Sequence, residues 1–142
     1  MKITVIGGGP GGLYFSILTK KAMPHCTIEV YERNKPEDSF GFGVVFSDET
    51  LGEFLKRDMQ SYELIRSNFA YWDNIVVARD GQNVHAAGNG FCGCSRKTLL
   101  KLLHQRCREE GVNLYFEQNI DNLDTFKDSD IIVAADGIGS GI

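Results

Sequence analysis

The chain has 142 residues, of which 42% are hydrophobic and 24% are charged, and its formal net charge is −4. This length and composition are ordinary for one globular domain with a buried core. The acidic balance argues against a nucleic acid or an anionic membrane surface as a partner, and no stretch approaches the roughly 20 apolar residues that a membrane span needs.

The cysteines indicate a reducing compartment. The first predicted strand begins at Lys2, which leaves no room for a signal peptide. Four cysteines without such a signal are expected to be free thiols in the cytoplasm. Cys92 and Cys94 are close in sequence, but no second Cys or His pair at ligand spacing accompanies them, and the three histidines are scattered. We therefore expect no metal site.

The first 33 residues predict a β-α-β unit. An apolar run over 3–6 leads into a glycine-rich segment that opens a helical pattern, and a second strand follows over Thr27–Tyr31. Gly7, Gly9 and Gly12 occupy the G-x-G-x-x-G positions. In that motif the glycines allow a tight turn, a close backbone approach to a pyrophosphate and close packing of helix on strand. The positive end of the helix dipole would face the phosphates.

Glu32 ends the second strand, twenty residues after Gly12. A carboxylate there accepts hydrogen bonds from an adenosine ribose and disfavours a 2′-phosphate. The alternative is a glycine-rich turn in some other α/β protein, with Glu32 a solvated strand end. The context favours an adenine dinucleotide as ligand.

A glycine-bearing apolar run over 40–46 is too short for a helix and resembles a strand. Glycines within such a run mark either the close approach of a ligand or a bend in the strand. Ser47 is the expected N-cap of a helix that carries Leu51 and Phe54, and a second helix is expected over 62–69.

Two further strands, over 72–78 and 83–87, flank Asp80 and Gly81, and an Asp-Gly step predicts a hairpin. Antiparallel strands are thus inserted between parallel ones. A plain dehydrogenase domain would instead continue with another β-α-β unit.

A long helix is expected over 96–110, capped by Ser95 and ended by Gly111. Its apolar stripe contains Leu99, Leu100, Leu103 and Cys107. Arg96 and Lys97 lie in its first turn, where the dipole disfavours a cation by about 0.3–1 kcal/mol. Either one of them holds an anion or both are solvated.

The last two predicted strands cover 112–116 and 130–134, the latter as a buried parallel strand. Asp136 and Gly137 follow its carboxyl end, and ligands of such sheets bind at the carboxyl ends of the strands. Asp136 is therefore a candidate site residue, and the alternative is a simple Asp-Gly turn.

Three motifs together carry a resemblance: the Gly7/Gly9/Gly12 unit with Glu32, an arginine opening the middle helix (Arg96), and Ala-Asp-Gly at 135–137 after a strand. Their order resembles the FAD-binding half of class A flavin-dependent aromatic hydroxylases of the para-hydroxybenzoate hydroxylase type. Within that class, the amino-terminal part of salicylyl-CoA and 2-aminobenzoyl-CoA monooxygenases is most similar, on three stretches: V-I-G-G-G-P-G-G-L-Y-F, Y-E-R-N and F-G-F-G-V-V-F-S-D. A looser similarity extends to tryptophan-derivative hydroxylases of pigment biosynthesis.

The resemblance implies an α/β fold: a Rossmann-like β-α-β FAD-binding domain with a parallel sheet and an antiparallel β insertion, the GR2-type flavoprotein fold. It also implies cofactor contacts from the glycine-rich turn, the end of the second strand, the 40–46 run, the middle helix and the last motif. These residues are Gly7, Gly9, Pro10, Gly11, Gly12, Glu32, Arg33, Gly43, Val44, Arg96, Asp136 and Gly137. FAD would be the cofactor and NAD(P)H the co-substrate, and no catalytic residue is assigned.

The family pattern Asp-Gly-x-x-Ser-x-x-Arg is followed here as far as Ser140 and stops one residue before the arginine. Residues 1–142 are therefore expected to be a truncated FAD-binding domain without its substrate domain. The predicted function is the FAD-binding portion of an NAD(P)H-dependent monooxygenase that hydroxylates an aromatic acid or its CoA thioester. The alternatives are a non-catalytic dinucleotide-binding module and an NAD-dependent dehydrogenase, and the chain alone is expected to be inactive.

Overall fold

The fold combines two sheets and four helices in a computed structural model that describes residues 1–142 except the side chain of Asn89. In chain order the elements are β1 (Lys2–Ile6), α1 (Pro10–Ala22), β2 (Thr27–Tyr31), β3 (Gly43–Ser47), α2 (Asp48–Arg57), α3 (Met59–Asn68), β4 (Ala70–Arg79), β5 (Gln82–Ser95), α4 (Arg96–Glu109), β6 (Asn113–Tyr115), a 3-10 turn (Leu123–Phe126) and β7 (Ile131–Ala134).

The parallel sheet has the strand order β6-β2-β1-β7. From β1 the chain moves outward to β2 and then β6, and it returns to the other side of β1 as β7. The direction of winding therefore reverses next to β1. At such a reversal the connections diverge and leave a crevice at the carboxyl ends of the strands, where ligands bind. The predicted Rossmann-like α/β fold with an antiparallel insertion is confirmed.

The core lies between this sheet and helices α1 and α4. Alternate residues of β1 and β2 point to that side, since side chains in a strand alternate between faces. Four of them are at most 1% exposed: Ile3, Val5, Ile28 and Val30. The other face is more polar. There Thr4 is hydrogen bonded to Ser129, their hydroxyl oxygens being 2.7 Å apart.

The antiparallel sheet, of order β3-β5-β4, lies in the long connection between β2 and β6. Its β4–β5 hairpin turns at Asp80 and Gly81, whose φ angles are 50° and 77°. Positive φ at both central residues is what a type I′ hairpin turn requires. The Asp-Gly step thus predicted the hairpin correctly.

Helix ends follow the capping residues in the sequence. The Ser47 hydroxyl accepts a hydrogen bond from the Thr50 amide at 3.3 Å, and Ser95 accepts one from the Thr98 amide at 3.1 Å. Gly111 ends α4 with a φ of 79°, a conformation that glycine adopts without strain. The predicted starts of α2 and α4 are confirmed.

The prediction of a buried strand over 130–134 is wrong about burial. The strand is parallel, as β7, but Ile131 is 45% exposed. The reason is its place at the edge of the sheet, next to β1 alone. Its apolar sequence is typical of a central parallel strand, and sequence does not distinguish a central strand from an edge.

A buried ion pair joins α1, α3 and α4. Asp58, which is 1% exposed, caps α3 by accepting from the Ser61 amide at 3.1 Å. The same carboxylate is 3.2 Å from the Arg106 guanidinium and also accepts from Lys21. Burial raises the pKa of Asp58, but the hydrogen bonds from Lys21 and Ser61 and the charge of Arg106 outweigh it. The pKa therefore lies below its ordinary value.

Candidate functional site at the carboxyl end of the parallel sheet

The turn after β1 requires glycine at two positions. Gly7 has a φ of 107°, and its amide donates to the Tyr31 carbonyl at 2.8 Å. A Cβ at Gly7 would lie 2.3 Å from the Ala135 carbonyl oxygen, and a Cβ at Gly12 would lie 2.2 Å from the Gly7 carbonyl oxygen. Because neither glycine has a side chain, β1, the start of α1 and the end of β7 can lie this close together.

Gly9 and Gly11 differ from these two, because a Cβ at either position would meet no described atom within 4 Å. Gly9 is the N-cap of α1, and the first turn of that helix contains no acidic residue. The free amides and the positive end of the helix dipole therefore remain available to an anion. Glycine at these two positions leaves room for a ligand beside the backbone.

A cavity of about 360 Å³ opens at this helix start. Its walls are the glycine-rich turn, the segment after β2, one face of α4 and the residues after β7. Of the predicted cofactor residues it brings together nine: Gly7, Gly9, Pro10, Gly11, Glu32, Arg33, Arg96, Asp136 and Gly137. These positions run from residue 7 to residue 137, so the sheet topology is what assembles them.

Three predicted residues lie outside this wall. Gly12 is buried beneath it, which fits a packing role rather than ligand contact. Gly43 and Val44 belong to β3, where they pair with Ser95 and Cys94 of β5. Of residues 40–46, it is Phe40 that lines the cavity.

Glu32 organises the loop that follows β2. One carboxylate oxygen accepts from the Gly8 amide at 2.7 Å, and the other accepts from the backbone and side-chain nitrogens of Asn34 at 2.8 and 2.6 Å. A carboxylate has about four acceptor positions. These three bonds fix the side chain and leave capacity for a ribose hydroxyl.

The two cations that open α4 are not equivalent. Arg96 is half-buried and lines the cavity, whereas Lys97 is exposed. The Arg96 amide also donates to the Phe42 carbonyl at 3.5 Å, which ties the helix start to the loop before β3. Of the two, Arg96 is therefore the one placed to bind an anion.

Among the wall residues that sequence reasoning missed are Leu100, His104 and Phe116. Leu100 was assigned to the core stripe of α4, and His104 was one of three scattered histidines. The pattern was available, because Arg96, Leu100 and His104 recur every four residues and so share one face of a helix. What sequence could not show was that this face meets the cavity.

A second cavity of about 270 Å³ lies beside the first and shares with it Gly7, Glu32, Arg33 and Asp136. It is closed on its far side by the segment after β6, including Gln118. Glu32 and Asp136 thus stand between two neighbouring openings at the same edge of the sheet.

Comparisons with known proteins agree with this geometry. No protein-family model matches the chain. Over 140 residues it is 41% identical to salicyloyl-CoA 5-hydroxylase from a Streptomyces species, covering 99% of this chain and 27% of that protein. It is 32% identical over 140 residues to 3-hydroxy-4-methyl-anthranilyl-(aryl-carrier protein) 5-monooxygenase from Streptosporangium sibiricum. This match covers 99% of the present chain and 39% of that protein. Over nearly its whole length, the chain is thus similar to a part of these two class A flavin monooxygenases.

Solved structures show the same fold. The tetrameric form of 2-methyl-3-hydroxypyridine-5-carboxylic acid oxygenase superposes with a TM-score of 0.84 at 19% identity, covering 99% of this chain and 40% of that one. The curated relatives are named hydroxylases or monooxygenases, which are oxidoreductases. The chain spans between about a quarter and two fifths of the length of the curated relatives it matches.

The residues at the cavity fit the phosphate and ribose portions of a flavin dinucleotide. The open side of Gly9 and Gly11 accommodates a group that a Cβ would displace, and the helix start and Arg96 match its negative charge. No helix in the described residues has the length and apolarity needed to cross a bilayer.

Proposed function

We propose that this chain is the FAD-binding domain of an NAD(P)H-dependent monooxygenase that hydroxylates an aromatic acid or its CoA thioester. The observation that carries the proposal is the convergence of an uncapped helix start, the Glu32 carboxylate and the Arg96 guanidinium on one cavity. The 41% identity to a salicyloyl-CoA hydroxylase supports the substrate class.

Each group at the cavity has a distinct part in holding the cofactor. The amides at the start of α1 would bind the pyrophosphate, because they have no partner inside the helix and the dipole adds positive potential. Glu32 would accept hydrogen bonds from the adenosine ribose. Arg96 would neutralise phosphate charge, with hydrogen bonds that charge makes stronger than neutral ones.

When bound, the flavin supplies the redox chemistry and the activation of O₂. This chain's residues bind and orient it, and we assign none of them a catalytic role. We place recognition of the aromatic substrate outside residues 1–142, with NAD(P)H as reductant. We also propose a cytoplasmic location, which is supported by free thiols such as Cys26 and Cys107 that are buried in the core.

The experiment is a visible absorption titration of the purified 142-residue chain with FAD, followed by denaturation to release and quantify bound flavin. We expect a shifted flavin band that saturates near one FAD per chain. A parallel titration with NAD⁺, followed by intrinsic fluorescence, is the control. Binding of NAD⁺ without FAD would favour the dehydrogenase alternative, and binding of neither would reject a self-contained flavin domain.

A Glu32→Gln variant sharpens this test. The substitution keeps the shape of the side chain and removes the charge that strengthens a hydrogen bond from a ribose hydroxyl. We expect FAD affinity to fall by about 10-fold, corresponding to about 1.5 kcal/mol. Glu37→Gln, at an exposed position of the loop after β2, is the matched control and should bind FAD like the parent chain.

A further inference from the structure

His104 lies on the face of α4 that lines the cavity, two turns beyond Arg96 and one turn beyond Leu100. Since an α-helix rises about 1.5 Å per residue, the backbones of residues 96 and 104 are about 12 Å apart along the axis. This face therefore extends from the proposed phosphate end of the cavity toward its other end.

The imidazole is buried without a polar partner. His104 is 5% exposed, and its ring meets the edge of the Phe116 ring at a centroid distance of 5.0 Å and an angle of 78°. Neither ring nitrogen forms a hydrogen bond with any described residue. Neutral imidazole has one N–H donor and one nitrogen acceptor, and a ring in a cavity wall can offer both to a ligand. Both ring nitrogens are therefore free to bind a polar group of a ligand in the cavity.

The surroundings indicate which part of a ligand that group belongs to. Leu100 and Phe116 form an apolar wall around His104, which suits the faces of an aromatic base. Glu32, the proposed ribose ligand, lines the same cavity. Burial lowers the pKa of His104, the charge of Arg108 lowers it further, and Glu32 opposes this. The ring is therefore neutral near pH 7 and can donate and accept.

We propose that His104 hydrogen-bonds the adenosine of the bound nucleotide and, together with the Phe116 wall, determines the preference of the cavity for an adenine nucleotide. This inference rests on the proposed function of the site, since it assumes a nucleotide there. It adds a specificity-determining residue on α4 to the ribose contact of Glu32.

The test uses ADP and inorganic pyrophosphate as probes on the 142-residue chain. Histidine ring resonances are followed by NMR during each titration, with the signals of His25, His85 and His104 assigned by single substitution. His25 and His85 are both exposed. We expect ADP to shift the His104 ring signals and to leave the ring signals of the other two histidines unchanged. Pyrophosphate should shift the backbone amide signals of the glycine-rich turn and leave the His104 ring signals unchanged.

Substitutions give a second measurement. His104→Phe keeps an aromatic ring against Phe116 and removes the polar atoms, so we expect ADP to bind about 3- to 10-fold more weakly, the equivalent of one lost hydrogen bond. Pyrophosphate affinity should not change. His104→Gln should recover part of the loss, and His85→Phe on the exposed hairpin should bind ADP like the parent chain.

Two results would overturn the inference while leaving the proposed function intact. In the first, ADP shifts the glycine-loop amides but not the His104 ring. In the second, His104→Phe weakens the binding of ADP and of pyrophosphate equally, which would show that His104 has a structural role. If ADP perturbs neither the loop nor the ring, the proposed function fails and this inference fails with it.

Discussion

Strands β1 and β4 are both apolar in sequence, yet their environments are opposite. In β1, four of five residues are buried, whereas all ten residues of β4 are exposed. β1 is paired on both edges and covered by α1 and α4. β4 is paired on one edge only, with β5. Side chains such as Ile75, Val76 and Val77 are 41–57% exposed.

The difference teaches that β-propensity and burial are separate properties. Branched apolar residues favour a strand in either setting, because their restricted side chains suit a pleated backbone. Burial needs a second layer. The helices supply one to the parallel sheet and to part of β3 and β5, where Cys92 is 1% exposed, but not to β4. Substitutions should therefore lower the free energy of unfolding strongly near the parallel sheet and its helices, and only slightly in the β4–β5 hairpin.

The largest effect is expected where β1 meets α1. Gly12→Ala would gain up to about 1 kcal/mol of helix propensity, but its Cβ would lie 2.2 Å from the Gly7 carbonyl oxygen. We expect the clash to prevail and the free energy of unfolding to fall by at least about 3 kcal/mol. Urea denaturation followed by circular dichroism measures this change.

Gly9→Ala is the matched control, because no described atom lies within 4 Å of the added Cβ. Its stability should stay within about 0.5 kcal/mol of the parent chain, while FAD binding is lost because the methyl group occupies the ligand side of the turn. Equal destabilisation by both substitutions would contradict the separation of packing and ligand-facing glycines.

The next largest effect is expected at the ion pair between α3 and α4. Asp58→Asn removes the charge that Arg106 faces inside the protein. Breaking a buried pair costs about 3–5 kcal/mol. Arg106 keeps Glu109 and Glu110 as partners, so we expect the lower end, about 3 kcal/mol, by urea denaturation. Glu53→Gln, which breaks an exposed pair with Lys56, should have no measurable effect.

The Asp58 carboxylate should also make the stability of the fold depend on pH. Because the pKa of Asp58 is lower in the folded chain than its ordinary value, its contribution is complete at neutral pH. The contribution is lost as the pH falls below about 4 and through the lowered pKa. Urea midpoints between pH 2 and 7 should fall less steeply for Asp58→Asn than for the parent chain. Parallel curves would show that other carboxylates govern acid unfolding.

The smallest effect tests the two strands directly with one substitution. Val5→Thr places a hydroxyl at a position that is fully buried, at a cost of about 1–3 kcal/mol. Val77→Thr makes the same change at a position that is 57% exposed, and we expect less than about 0.5 kcal/mol. Thermal unfolding of both variants gives the comparison. A similar loss at Val77 would indicate that the hairpin is covered in solution.

Much of the fold could be predicted because its signals are local. The capping serines 47 and 95, the Asp-Gly turn and the glycine-rich segment each dictate a backbone conformation within a few residues. The exposure of β7 and the 3-10 turn that buries Phe126 against Tyr31, at a ring-centroid distance of 4.8 Å, were missed. They depend on contacts between segments about a hundred residues apart.

The candidate site divides in the same way. Glycine spacing and the acid twenty residues later indicated a nucleotide-binding turn, because phosphate binding at a helix start needs those residue types at that spacing. The sequence by itself therefore predicted a class of ligand and placed Gly7, Gly9 and Glu32 at the turn where the cavity opens. Tertiary structure alone decided that Arg96 faces the cavity while Lys97 does not, that His104 belongs to its wall, and that Gly43 and Val44 do not. The physical reason is that a helix or strand has several faces, and only packing against the rest of the chain selects the one that meets the cavity.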